Sequence, residues 1–271
     1  MNRKIKLFFI ILFFISFDIF PKSLIPKITD NSLWVKSTSI LDSSSVDSVY
    51  NFAVKNEVNK LFYQVRYRGD ALYNSMIVPK HEKLDSIFDP LNYILKKVEG
   101  SDIEIHAWFN TYVLWSSDNK PKDENHLYYN CEDCFEVDLN GKSDISIPLH
   151  QIHSKSWEGI YLSPLNPLVN MHLFDVVNEL ISNYKLDGLH LDYLRYQDYY
   201  YGYNKEGVDH FTNEYNINPL DINREFILRK YGFNKSEIDS VKNIWNDYKV
   251  QKITDLLINI KNKSIENSLY F

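Results

Sequence analysis

Apolar positions fall into two rhythms along this chain. Short runs that are apolar or alternate apolar and polar lie at Leu33–Ser39, Asn59–Tyr67, Ile103–Asn110 and Leu186–Asp192. Runs of that length, bounded by turn residues, predict strands. Helical spacing intervenes. Val46, Val49, Tyr50, Ala53 and Val54 mark one face of a helix over 46–57, with the hydroxyls of Ser43, Ser44 and Ser45 available to cap it. Asp89-Pro90 and Asn166-Pro167 each place a capping side chain before a first-turn proline, which predicts helices to about Val98 and Tyr184. Residues 220–231 and 236–262 read as two more helices. Two stretches, 111–165 and Asp198–Pro219, read as polar excursions that leave the carboxyl ends of strands.

Strands alternating with helices imply right-handed βαβ units and a parallel sheet. In such sheets the chemistry gathers where strands end. Asp192 stands at that end of the fourth strand, with Tyr193, Arg195 and Tyr196 after it. Asp187 lies five positions earlier, an odd separation, so it points to the other face. His190 shares the face of Asp192. On the third strand His106, Trp108 and Asn110 share a face; on the second, Arg66 and Arg68 are two apart and are expected to share one. Asp70, just beyond, is the second carboxylate candidate, and a turn residue paired with Arg66 or Arg68 is its plainer reading.

The segment Leu186-Asp187-Gly188-Leu189-His190-Leu191-Asp192-Tyr193-Leu194-Arg195-Tyr196 resembles the fourth-strand signature of the bacterial glycosyl-hydrolase-like family 10 domain. Residues 33–38, 61–75 and 105–110 resemble its first three strands, in family order. The resemblance implies an α/β fold of the (β/α)8 TIM-barrel type and a glycosidase, without fixing the sugar. A closed barrel has eight strands. Only about the first four β/α units are recognisable, and nothing after Asn262 matches the family's later strands, so an incomplete barrel over residues 24–271 is expected. Its open edge invites self-association.

Glycosidic cleavage takes a pair of carboxyl groups. Asp192 resembles the nucleophile at the fourth-strand end of α-amylase-type barrels; Asp70 is its candidate partner. Arg66, Arg68, His106, Trp108, Asn110, His190, Tyr193, Arg195 and Tyr196 are the candidate substrate-binding residues, since guanidinium forks, hydroxyl-binding side chains and aromatic rings suit a polysaccharide or oligosaccharide. A non-catalytic glycan-binding protein is the alternative. No cofactor and no metal is expected: the chain has no His-x-His, His-Glu-x-x-His, Gly-x-Gly-x-x-Gly or Gly-x-Ser-x-Gly.

Charge narrows the partners. The net charge is −6, and residues 1–23 contribute +3, which leaves −9 on the rest. That balance argues against nucleic acid or an anionic membrane as the main partner. At the start, Arg3, Lys4 and Lys6 precede the apolar run Leu7–Phe17, the layout of a signal peptide over 1–23. A secreted or periplasmic protein, with no stable membrane anchor after removal of that segment, is expected. Cys131 and Cys134 then read as a local disulfide rather than half of a zinc site.

Overall fold

The computed structural model describes residues 31–152, 157–222, 224–267 and 269. The signal-peptide segment lies outside them. Strand β1 (Ser32–Val35) is followed by helix α1 (Ser43–Lys55), β2 (Lys60–Tyr67), the short β3 (Asp70–Ala71), α2 (Pro90–Val98) and β4 (Glu104–Asn110). Then come β5 (Val113–Trp115), the single turn α3 (Leu127–Asn130), β6 (Ile160–Tyr161), α4 (Pro167–Asn183) and β7 (Gly188–Asp192). Helices α5 (Lys205–Tyr215), α6 (Pro219–Ile222), α7 (Glu225–Lys230) and α8 (Lys235–Glu266) complete the order.

The main sheet runs β1-β2-β4-β7, every pair parallel, with β3 antiparallel to β2. Alternation along each strand sorts the side chains onto two faces. Leu61, Tyr63, Ile105, Ala107 and Phe109 join Val46 and Ala53 of α1, Leu91 and Ile94 of α2, and Val176 and Leu180 of α4 in one core. Each fully buried side chain of this size contributes about 1.5–3 kcal/mol, so this layer holds the strands in place. The opposite face carries Trp34, Phe62 and His106 in one row of paired positions, and Gln64, Trp108 and His190 in the next. β1 and β7 each pair on one side only among the described strands.

Several elements differ from the sequence expectation for local reasons. The first strand stops at Val35 because Gln64 Oε1 accepts the Ser37 N–H at 2.9 Å and the chain turns into a 3-10 turn. The cap of α1 is Asp42, which accepts from Ser45 N at 2.8 Å, rather than one of the three serines. The polar stretch before Pro219 contains a helix: Asn204 caps α5, which buries Val208 and Phe211 in a second cluster with Trp245 and Tyr248 of α8. The long excursion after β4 is partly ordered by the antiparallel β5–β6 pair. Cys131 and Cys134 form the expected disulfide.

No helix among the described residues is long and apolar enough to cross a membrane. Nor do they contain a group of three or more His, Cys, Asp or Glu side chains placed to hold a metal.

Candidate active site

The strand ends of β4 and β7 are tied together at the point where Asp192 emerges. Thr111 N donates to the Asp192 carbonyl at 2.7 Å, and Tyr112 N to the Tyr193 carbonyl at 3.3 Å. The Asp192 carboxylate accepts the Trp108 indole N–H on Oδ2 at 3.0 Å and the Tyr193 backbone N–H on Oδ1 at 2.8 Å. Tyr193 holds φ at +53°. A left-handed tyrosine is costly and persists where its surroundings impose it, often at functional sites. Its effect is to end β7 abruptly and present Asp192 at the strand terminus. Asp187, at the other end, accepts from Ile105 N at 2.8 Å and serves the sheet.

Below Asp192 lies an aromatic and imidazole floor. Trp34 stacks on Phe62 with centroids 4.5 Å apart and remains 52% exposed. His190 lies 5.0 Å from Phe62 and 6.5 Å from Trp108. Burial, the largest influence, lowers its pKa, against the pull of Asp192. His106 is nearly buried and bonds Glu104 at 2.9 Å on its own strand. Its ring occupies the place of a side chain at position 188: a Cβ on Gly188 would stand 2.2 Å from His106 Nδ1. Asn110 is buried beside Asp192 in the register, and its Oδ1 has no partner among the described residues.

Arg66 and Arg68 do not share a face. A β-bulge between Gln64 and Arg66 shifts the alternation, so Arg66 pairs with Phe109 and points into the core. Fully buried over the Phe109 ring, it donates from Nη1 to the carbonyls of Asn110 and Thr111. It therefore braces the end of β4 and does not open onto the cleft. Arg68 has φ +56° in the turn to β3 and donates to Ser116 Oγ at 3.1 Å. Neither arginine forms an ion pair with Asp70 or Asp192 among the described contacts.

Asp70 is buried, with His126 Nε2 3.7 Å away. Burial outweighs the nearby Arg66 and pushes its pKa up to about 8, so the group keeps its proton at neutral pH instead of being held ionised. His126, also buried, is driven down to about 4. It is neutral, donating from Nε2 to the Arg68 carbonyl at 2.8 Å and accepting from Tyr128 N on Nδ1 at 3.0 Å. Asp70 pairs with Tyr67 across β2–β3 and so shares its face, and Tyr67 bears electrostatically on Tyr193.

After Asp192 the side chains diverge. Arg195 lies over the rings of Tyr161 and Tyr193 and pairs with Glu158, not Asp192. Tyr196 turns away from the cleft, donating to the Lys249 carbonyl at 2.9 Å on α8. Trp34, Phe62, Tyr161 and Glu158 are therefore neighbours of the site that the sequence reading did not select. The shared strand parity of Trp34, Phe62 and His106 could have identified the first two; nothing local marks Glu158 or Tyr161.

The profile of the glycosyl hydrolase-like 10 family matches residues 33–267. Glycosyl hydrolase DigH of Escherichia coli K12 is 26% identical over 150 residues, 53% of this chain and 31% of the relative. Glycosyl hydrolase YngK of Bacillus subtilis is 26% identical over 163 residues, 57% of this chain and 28% of the relative. The chain thus matches about a third of the length of these curated relatives. Among solved structures, the PgaB (BpsB) glycoside hydrolase domain from Bordetella bronchiseptica aligns at a TM-score of 0.57 with 12% identity, over 88% of this chain and 62% of that one. Alpha-L-fucosidase isoenzyme 2 from Paenibacillus thiaminolyticus aligns at 0.55 with 16% identity, over 83% and 30%.

Proposed function

The chain belongs to the glycosyl hydrolase-like 10 family, and from that premise we propose that it binds a polysaccharide at the carboxyl ends of β4 and β7 and hydrolyses an O-glycosidic bond with Asp192. One observation carries the reading: a carboxylate at the end of a parallel strand, oriented by the Trp108 indole and followed by a left-handed Tyr193. Both Asp192 oxygens accept hydrogen bonds that fix the direction of the carboxylate, an orientation that suits a nucleophile or a base. Asp70 keeps its proton and is the proton donor of this reading. The exposed Trp34 and the Phe62 ring provide stacking surface for a sugar.

The four parallel strands fit half of an eight-stranded TIM-type barrel, and the edges of β1 and β7, unpaired among the described strands, are where further strands, or a second copy, would add. The reading includes export, on the strength of the Leu7–Phe17 run. The test is Asp192→Asn, assayed by release of reducing ends from a polysaccharide panel. A hydrolase loses at least about a hundredfold in turnover while keeping its unfolding midpoint and its glycan affinity. Turnover that survives this substitution rejects Asp192, and glycan binding without turnover in the unsubstituted protein supports a binding module instead.

A further inference from the structure

Arg195 and Tyr161 converge on a single carboxylate oxygen at the rim of the Asp192 site. Tyr161, fully buried on β6, donates its hydroxyl to Glu158 Oε2 at 2.7 Å. Arg195 Nη2 donates to the same oxygen at 2.6 Å. The guanidinium does not depend on Glu158 for its position. Its Nη1 is fixed by the carbonyls of Tyr196 and Gln197 at 3.1 and 2.6 Å. The Tyr161 and Tyr193 rings lie beneath it, with its central carbon 5.4 and 5.7 Å from their centroids. The donors are thus preorganised, and the acceptor is the loose member: the Glu158 side chain is 57% exposed.

An ion pair this exposed contributes little to stability, so it is a weak reason for two well-fixed donors to meet at one point. The location is more informative. Arg195 stands three positions beyond Asp192, and the ring of Tyr193, between them in sequence, packs edge-on to Tyr161 at 6.2 Å. A glycan seated on Asp192 would reach this rim with a neighbouring sugar. Guanidinium and hydroxyl donors aimed at one oxygen select a carboxylate over a neutral hydroxymethyl group.

Resting on the glycosidase reading, we propose that Arg195 and Tyr161 form a subsite for the carboxylate of an acidic sugar, and that Glu158 is its internal occupant until the glycan displaces it. The substrate class is then a glycan with carboxylate-bearing residues. Exchange is one carboxylate for another, with no covalent change.

The experiment is calorimetric titration of the Asp192→Asn protein, in which turnover is blocked, with trigalacturonate and with its methyl ester. The acid should bind about tenfold tighter than the ester. Arg195→Gln should abolish that preference, and Glu158→Gln, which removes the internal competitor, should tighten the acid severalfold and leave the ester unchanged. Glu158 is exposed, so its substitution leaves folding intact. Equal binding of acid and ester, or a Glu158→Gln protein that binds the acid no more tightly, overturns the subsite alone. Loss of binding to both probes overturns it together with the glycan reading. A preference for the acid in a protein that never turns over a glycan upholds the subsite and rejects the hydrolase.

Discussion

Trp108 donates its indole N–H to Asp192 Oδ2 across the β4–β7 ladder, at 3.0 Å. The bond links a ring on one strand to the carboxylate at the end of the next, and it fixes which way that carboxylate faces. Trp108→Phe keeps most of the ring and removes the donor. A lost hydrogen bond to a charged group is worth about 1.5–3 kcal/mol, or roughly ten- to a hundredfold in rate if the orientation matters to turnover. The expected outcome is a fall of that size in turnover with little change in the urea midpoint. An unchanged rate would mean that the indole only fills space.

Gly188 is set by the His106 ring, which stands where its side chain would be. Both are backed by strands that the core clamps, so neither moves freely. Gly188→Ala should cost about 1–3 kcal/mol, the usual range for overpacking, and lower the thermal midpoint. The double change Gly188→Ala with His106→Ala should recover part of the loss, because the clash goes with the ring. Chemical denaturation of the two proteins checks this directly.

The position of Asp192 was legible because it depends on one fact, the end of an apolar run, and that run became β7. The role of Arg66 was not. Strand parity placed it beside Arg68 on a cleft-facing side, but the bulge at Val65 turned it into the core, and nothing in the residues around Val65 announces a bulge. Tyr196 was misplaced for a tertiary reason: the α8 carbonyl of Lys249 captures its hydroxyl from 53 residues away. Helix α5 was hidden because only Gly207, Val208 and Phe211 of its eleven residues are buried, too few to show a stripe. Glu158 enters through the packing of an excursion, which no local period encodes.

The two excursions are clasped by buried carboxyl groups, and these give the fold a pH dependence. Glu136 accepts from Gly202 N at 2.8 Å; Asp144 accepts from Trp157 Nε1 at 3.1 Å and Tyr161 N at 2.9 Å. Burial, reinforced at Glu136 by the neighbouring Asp144, raises Glu136 to about 8; burial likewise raises Asp144 to about 7. Folded pKa values above the unfolded ones mean that the native state holds more protons. Stability from these groups is full below about pH 4 and is lost as pH climbs through their folded values. Buried His126 and His172, both lowered to about 4, act in the opposite sense, but only below their unfolded value of about 6.5. Between pH 6.5 and 8 the carboxyl groups, Asp70 included, act alone. The urea midpoint should therefore fall across that interval, and Glu136→Gln should flatten the fall. A midpoint that rises from pH 6.5 to 8 would contradict the assignment.

Arg66 is the brace under the site. Its Nη1 is shared by the carbonyls of Asn110 and Thr111, and the N–H of that same Thr111 holds the Asp192 carbonyl. The bulge in β2 turns Arg66 inward, and its guanidinium meets both carbonyls from inside the core. Arg66→Leu fills similar volume but strands both acceptors in the core. Each unsatisfied buried carbonyl costs about 1–3 kcal/mol, so a loss of about 2–6 kcal/mol is expected for the two. The damage should be local as well as global. Because the end of β4 carries both Thr111 and, three residues earlier, Trp108, amide exchange at Thr111 and Tyr112 should quicken more than exchange in β1 under native conditions. Arg66→Lys separates charge from shape: the ammonium has three donors but sits on a shorter stem than the Nη1 that serves both carbonyls, so the protein should sit between the wild type and Arg66→Leu in both measurements. A lysine variant as stable and as protected as the wild type would show that positive charge alone, and not the guanidinium's fit to two carbonyls, sets the end of β4.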